Sequence, residues 1–287
     1  MCSSDLIHYR PRTAVLNNLE FDHADIFADL AAIETQFHHL VRTLPRQGLI
    51  VANAAEASLE RVLARGCWTP VERFNEAGGW RAEGDDASGE LRLMRGGAAI
   101  AQTRWSLTGE HNRANAVAAL LAARHAGVSP ERGLDALSRF GNVRRRMELR
   151  GTERGVSVYD DFAHHPTAIA TTLAGLRRKI GGRAAGRILA VLEPRSNTMK
   201  LGVMKAQLPG SLRDADRVYC YAANLGWDAA EALAPLGEKA AVAGDLEALV
   251  GDVAREARAG DHILVMSNGG FGGIHGKLLA ALRGGHA

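Results

Sequence analysis

The sequence predicts an α/β protein of two domains, the second built on a parallel sheet. Three observations carry this. Near-continuous apolar runs of strand length, such as Ile188-Leu-Ala-Val-Leu and Ile263-Leu-Val-Met, alternate with stretches of helical period, which implies strands covered on both faces. Ile169, Leu173, Leu176 and Ile180 recur at steps of four, three and four, one apolar face of a helix. A chain of 287 residues is long enough to bury two cores of ordinary size.

The first domain is marked element by element. Residues 1–12 show no period. Thr13 to Leu19 reads as the first strand and runs into Asn-Asn-Leu-Glu-Phe-Asp-His-Ala-Asp, residues 17–25, where Glu20, Asp22, His23 and Asp25 cluster. Oxygen-rich clusters suit Mg²⁺, which takes one or two carboxylates, waters and substrate phosphates; acidic residues also favour a helix's first turn. Asp25 to Leu44 carries an apolar stripe of Leu30, Ile33, Phe37, Leu40, Val41 and Leu44, with His38 and His39 beside it and assigned to no site. Pro45 to Gly48 is a turn, Leu49 to Ala52 a buried strand, and Ser58 the cap of a helix ending at Ala64. Residues 67–108, with turns at Gly78-Gly79 and Gly96-Gly97, read as hairpin structure added to the sheet. Gly109 opens an alanine-rich helix to Arg124, and a further helix runs from Ser129 to Phe140 through Pro130.

The boundary falls at Arg144-Arg145-Arg146, giving domains 1–143 and 144–287. Beyond it, strands near 156–160, 187–193, 217–222, 239–243 and 261–267 alternate with helices starting near 166, 202, 228, 246 and 274.

Composition excludes several classes of function. The chain is 46% apolar and 23% charged, as expected of a globular protein, and its net charge of +3 comes from interspersed residues. No basic patch argues for nucleic acid. Cys2, Cys67 and Cys220 lack metal-ligand spacing and fit a reducing, cytoplasmic setting. The apolar run from Ala116 to Ala123 is far too short to cross a membrane, and the N-terminus lacks a signal peptide's order.

The chemistry concentrates in Tyr-Asp-Asp-Phe-Ala-His-His-Pro, residues 159–166. Val156, Val158 and Tyr159 read as a strand, and Pro166 suits the first position of a helix. Asp160, Asp161, His164 and His165 then lie between a strand's carboxyl end and a helix's positive end, where open α/β sheets bind ligands. A capped helix behind a polar loop is the plainer alternative. Two other loops follow strands and belong on the same edge. Glu193-Pro-Arg-Ser-Asn-Thr-Met-Lys can hold a carboxylate or amide, and Ser267-Asn-Gly-Gly-Phe-Gly-Gly allows close backbone approach without the dinucleotide fingerprint. In the first domain, His111, Asn112 and Asn115 project from a helix's first turn. The two asparagines share a face, where they can bond a purine edge or simply cap the helix. The three arginines are either a solvated face or a clamp for phosphate oxygens.

In order, Asn-x-x-x-Asp-His, Gly-x-His-Asn-x-x-Asn, Arg-Arg and Asp-Asp-Phe-x-His-His-Pro resemble the Mur ligase family, ATP-dependent enzymes that join amino acids or peptides to UDP-N-acetylmuramate. The resemblance runs from about Ile7 onwards. It implies the back portion of a central ATPase-type α/β domain followed by a Rossmann-like α/β C-terminal domain. It also implies ATP and Mg²⁺ as cofactors and an acyl-phosphate intermediate. Within the family the motifs look most like members that attach L-alanyl-γ-D-glutamyl-meso-diaminopimelate to UDP-N-acetylmuramate. Members that add L-alanine, and an inactive peptide-binding module, are the alternatives. By resemblance Glu20 is the Mg²⁺ ligand, with His23 and Asp22 shaping that site, and His111, Asn112 and Asn115 hold adenine. Arg146 reaches the phosphates from the domain junction, Asp161 the ribose, and His164 the terminal phosphate or acyl phosphate. Arg195, Asn197, Thr198 and Asn268 line the peptide pocket. The family's glycine-rich loop ending in Gly-Lys-Thr is missing, Gly276-Lys277-Leu278 lacking the hydroxyl and the upstream glycine. The family's N-terminal domain is missing too, and residues 1–6 do not match the family there, so the chain is expected to be a truncated or misassembled reading frame.

Overall fold

A computed structural model describes residues 3–284 of the chain; Cys2 lies outside them. The chain divides into two compact units between Gly141 and Asn142.

In the first unit, a 3₁₀ turn over Ser3–His8 precedes β1 (Thr13–Leu16), α1 (Leu30–Val41), β2 (Leu49–Asn53), α2 (Ala57–Ala64) and β3 (Val71–Phe74). There follow β4 (Trp80–Asp85), β5 (Glu90–Arg95), β6 (Ala98–Arg104), α3 (Glu110–His125) and α4 (Pro130–Ser138). The six strands form one sheet in sequence order. Neighbours from β1 to β4 are parallel, and β4, β5 and β6 are antiparallel, as hairpins require. The strand period of two divides β2 between two cores. Ile50 and Ala52 pack with Ile33, Val41, Leu59 and Val62, while Leu49 and Val51 pack with Val117, Leu120 and Leu121. That is why β2 reads as a continuous apolar run: all five of its residues are buried.

Four expectations for this unit are corrected. β1 ends at Leu16, before the asparagine pair, not at Leu19. α1 starts at Leu30, not Asp25, because Asp29 is extended (φ −156°, ψ 177°) and caps the helix by accepting from the Ala32 amide. Ser58 lies inside α2, behind Glu56 at the cap position, and its hydroxyl donates to the buried carbonyl of Leu19 at 2.8 Å. α4 ends at Ser138, with Phe140 beyond it and exposed.

The second unit runs β7 (Glu148–Glu153), β8 (Val156–Asp161), α5 (Pro166–Lys179), β9 (Ile188–Leu192), α6 (Asn197–Lys200), α7 (Leu208–Ser211) and β10 (Arg217–Tyr221). It continues with α8 (Ala229–Leu233), β11 (Ala240–Ala243), α9 (Leu246–Glu256), β12 (His262–Met266) and α10 (Ile274–Gly284). The sheet order is β11-β10-β9-β12-β8-β7, parallel except for β7, which pairs antiparallel with β8. The edge strand β7 was not anticipated: Glu-Leu-Arg-Gly-Thr-Glu carries no apolar face, and Leu149 is exposed. In place of a helix from 202, the chain makes the short α6, capped by Ser196, breaks at Gly202 (φ +73°), and reforms at α7.

Wiring decides where the loops emerge. β12 lies between β8 and β9, and Met266 is in register with both Asp161 and Leu192. The segments after β8, β9 and β12 therefore leave the sheet side by side at its carboxyl edge, as the sequence predicts. Beneath them, Val158, Leu189, Val191, Ile263 and Val265 form a core with Val253, Phe271, Ile274 and Leu278. Cys67 and Cys220 are free thiols, and burial pushes the Cys220 thiol up to about 12. Among the described residues, no helix is long and apolar enough to cross a membrane.

Candidate active site

In the second unit, the alternation of β8 sends Asp160 and Asp161 to opposite faces, both 3% exposed. Asp161 accepts from the amides of Met147 and Ala163, each at 2.8 Å, and from the Thr172 hydroxyl at 3.3 Å. Burial pushes its carboxyl above the ordinary range, against those amides and the charge of Arg146. The carboxylate is turned onto the chain's own backbone, bracing the loops that carry Arg146 and His164.

Asp160 faces cations. Arg145 Nε lies at 3.3 Å, Arg150 Nη1 at 3.6 Å and His275 Nε2 at 3.4 Å. Burial holds the His275 imidazole below its usual value, against the pull of Asp160. Beyond β8, the Arg145 and Arg146 guanidinium groups sit over the Phe162 ring at 5.2 and 5.7 Å. His164 packs edge-on against the same ring at 5.5 Å, with Nδ1 3.0 Å from the Phe162 carbonyl. A carbonyl only accepts, so Nδ1 carries the proton and Nε2 is left for another partner.

The loops after β9 and β12 are joined through Ser267, whose hydroxyl donates to Glu193 Oε2 at 2.5 Å and accepts from the Gly269 amide at 2.9 Å. Arg195 is exposed and lies across Gly269. A Cβ there would stand 2.5 Å from Arg195 Cδ and 2.6 Å from Nη1. Asn268 is next to it, with a buried Oδ1 that has no hydrogen-bond partner. The structure thus brings Arg195 and Asn268 together. Asn197 is exposed at the start of α6, and Thr198 beside it is 2% exposed.

In the first unit, Gly109 begins α3 with φ +94°, and its amide donates to both oxygens of Asp86, at 3.0 and 3.1 Å. Asp86 also pairs with Arg113, which is 7% exposed, and Arg113 reaches back to Glu110. Nothing in the sequence singles out Asp86, because its partners lie more than twenty residues away. On this fixed turn His111 is exposed. Asn112 donates through Nδ2 to the Thr108 carbonyl at 2.7 Å, and Asn115 accepts through Oδ1 from Asn17 Nδ2 at 2.6 Å. Each carboxamide uses one end on the protein, leaving an acceptor on Asn112 and a donor on Asn115.

An asparagine chain continues along the carboxyl ends of the strands. Asn53 Nδ2 donates to the Asn17 carbonyl at 2.9 Å, and Asn75 Nδ2 to Asn53 Oδ1 at 3.0 Å. Asn75 also lines a cavity of about 480 Å³ with Ala54, Glu60, Val71, Arg73 and Glu76.

The oxygen-rich cluster of residues 17–25 is not a closed cage. Among the described residues, no three His, Cys, Asp or Glu side chains gather closely enough to hold a metal ion. His23 (φ +55°) turns the chain, its amide on Asp22 Oδ1 and its carbonyl on the Ile26 and Phe27 amides. Glu20 stands close enough to Glu56 for its charge, added to burial, to raise the Glu56 carboxyl.

Comparison with known proteins gives the family. A model described as the Mur ligase middle domain matches residues 2–123, and one described as the Mur ligase glutamate ligase domain matches residues 145–269. The chain is 53% identical, over 97% of its length, to the UDP-N-acetylmuramate–L-alanyl-γ-D-glutamyl-meso-2,6-diaminoheptandioate ligase of Escherichia coli (strain K12). It is 33% identical, over 97% of its length, to a UDP-N-acetylmuramate–L-alanine ligase of Mycobacterium sp. (strain JLS). It covers 61% of each of these relatives. The crystal structure of a murein peptide ligase from Psychrobacter arcticus 273-4 superposes with a TM-score of 0.73 at 42% identity, covering 98% of this chain and 60% of that one. With its two consecutive domain matches and these relatives, the chain belongs to the Mur ligase family.

Proposed function

We propose that the protein joins L-alanyl-γ-D-glutamyl-meso-diaminopimelate to UDP-N-acetylmuramate at the expense of ATP, in the cytoplasm. The chain spans 61% of the E. coli relative that bears this activity in its name, so the reading concerns a protein of that relative's extent. The observation that carries it is the gathering of Arg146, His164, Arg195 and Asn268 on loops leaving one sheet edge, in a chain 53% identical to that ligase.

In the proposed reaction the γ-phosphoryl group of ATP passes to the muramate carboxylate, releasing ADP and leaving an acyl phosphate. The peptide's amine attacks the acyl carbon, phosphate departs, and the amine's proton is lost as the amide forms. Such chemistry depends on positioning and charge neutralisation. Arg146 supplies positive charge to phosphate oxygens. His164, proton on Nδ1, offers Nε2 to the terminal phosphate or acyl phosphate. Arg195 meets a free carboxylate of the peptide, Asn268 its polar backbone, and Asn197 the mouth of that pocket. The buried Thr198 supports α6. In the first unit, the acceptor of Asn112 and the donor of Asn115 complement the amine and ring nitrogen of a purine, with His111 against the ring. Glu20, with Glu56 beside it and His23 on the same segment, serves Mg²⁺, which would shield phosphate charge.

The test is ligation of tripeptide, and separately of L-alanine, to UDP-N-acetylmuramate, by this chain and by the chain extended at its N-terminus with the E. coli relative's preceding segment. Amide product from tripeptide is expected. Product from alanine alone would move the assignment to the alanine-adding enzymes, and tripeptide binding without product from either form would leave a binding module. In the active form, His164→Ala should lower kcat by about 10²-fold or more, the range of acid–base and oxyanion groups, with little change in peptide affinity.

A further inference from the structure

Arg145 is a member of the arginine run to which the proposed chemistry gives no role, yet its backbone and side chain are both tied to the protein. Its backbone is left-handed (φ +59°), a conformation that is strained for an arginine and persists only where its surroundings hold it. Those surroundings are specific. The Arg145 amide donates to Glu148 Oε2 at 2.8 Å, its carbonyl accepts from the Phe162 amide at 2.8 Å, and two residues on the Met147 amide is bound by Asp161. The side chain then runs inward. Nε meets the buried Asp160 at 3.3 Å, while Nη2 donates to the carbonyls of Ser267 and Gly269 at 2.6 and 2.8 Å.

Those two carbonyls flank Asn268, and Gly269 is the surface on which Arg195 lies. We infer that Arg145 is a positioning residue that pins the glycine-rich loop 267–273 to the segment carrying Arg146, so that the peptide pocket and the phosphate-facing arginine are held as one piece. The inference rests on the proposed reading for what the two ends do; the pin itself rests on the hydrogen bonds. A loop of Ser-Asn-Gly-Gly-Phe-Gly-Gly has little intrinsic order, since glycine loses the most conformational freedom on being fixed. An external donor that binds two of its carbonyls is the economical way to hold it. The planar guanidinium can meet a carboxylate on one edge and two carbonyls on another, which the single ammonium of lysine cannot do at one position.

The test compares Arg145→Met and Arg145→Lys with the parent chain by hydrogen exchange and by calorimetric titration with L-alanyl-γ-D-glutamyl-meso-diaminopimelate. In R145M, exchange across 267–273 should accelerate at least about tenfold, the effect of losing charged hydrogen bonds, while β9 and α9 keep parental rates. Peptide affinity should fall by about tenfold or more, and R145K should recover little of either. Unchanged exchange at 267–273 would overturn the inference. So would acceleration spread evenly through the unit, which would mean that Arg145 only stabilises the fold. Should the parent bind no tripeptide, the peptide reading fails, while local loosening in R145M would still support the pin.

Discussion

Asn17 donates through Nδ2 to Oδ1 of Asn115 at 2.6 Å, joining the end of β1 to the second turn of α3 across 98 residues. The bond sets which end of the Asn115 carboxamide is left for a ligand. Asn17→Ala should cost about 1 kcal/mol in urea unfolding, the net worth of one hydrogen bond, and weaken ATP binding by several-fold as Asn115 becomes free to turn over. Asn115→Asp keeps the acceptor that Asn17 uses but removes the outward donor. It should weaken ATP binding further, with less loss of stability. If calorimetric titration finds parental ATP affinity in both variants, the pair is a structural tie and adenine is held elsewhere.

Gly269 separates the pocket's geometry from the fold's stability. An alanine methyl there would displace the flexible end of Arg195 without striking any backbone atom among its nearest neighbours. Gly269→Ala should therefore stay within about 1 kcal/mol of the parent in stability, as substitutions that disturb only an exposed side chain do, yet lose tripeptide affinity by about tenfold. Parental affinity in G269A would show that the position of Arg195 across Gly269 is irrelevant to the peptide.

His262 gives the second unit a dependence on acid. Burial, aided by the charges of Arg177 and Lys179 and opposed by Asp261, holds its pKa below the ordinary 6.5, and its ring faces Tyr159. The unfolded chain then takes up a proton that the folded chain resists. The stabilisation is complete above the unfolded value of 6.5 and is lost as pH falls from there towards the lower folded value. Melting temperatures measured from about pH 7.5 to about pH 5 should fall less steeply for His262→Gln than for the parent, because glutamine does not titrate in the range where histidine does. Parallel curves would assign the acid sensitivity to other groups, His275 first among them.

How much could be read in advance varies with the distance over which each feature is decided. Pro166 at the start of α5 and the buried strands β9 and β12 are local facts, written in proline chemistry and apolar runs, and they stand where expected. α1 starts later than the stretch from Asp25 implies, because the helix begins only where the extended backbone at Asp29 lets its side chain cap it. β7 was invisible because an exposed edge strand needs no apolar alternation. Arg195 and Asn268 could be nominated from their loops, but that Arg195 lies on Gly269 while Thr198 is buried depends on how α6 turns after Ser196.

By itself, then, the sequence determined the fold class, most of the succession of strands and helices, the family, and the sheet edge from which the loops after β8, β9 and β12 emerge. Periodicity, turn residues and the parallel connection of strands are properties of short stretches and of their order. Tertiary structure alone decided the partners: Asp86 for Gly109, Asn17 for Asn115, Asp161 for Met147, and the two carbonyls of the glycine loop for Arg145. A side chain's hydrogen-bonding capacity is fixed by its type, but which distant group satisfies it is settled only when packing brings the two within 3 Å or so and excludes water from between them.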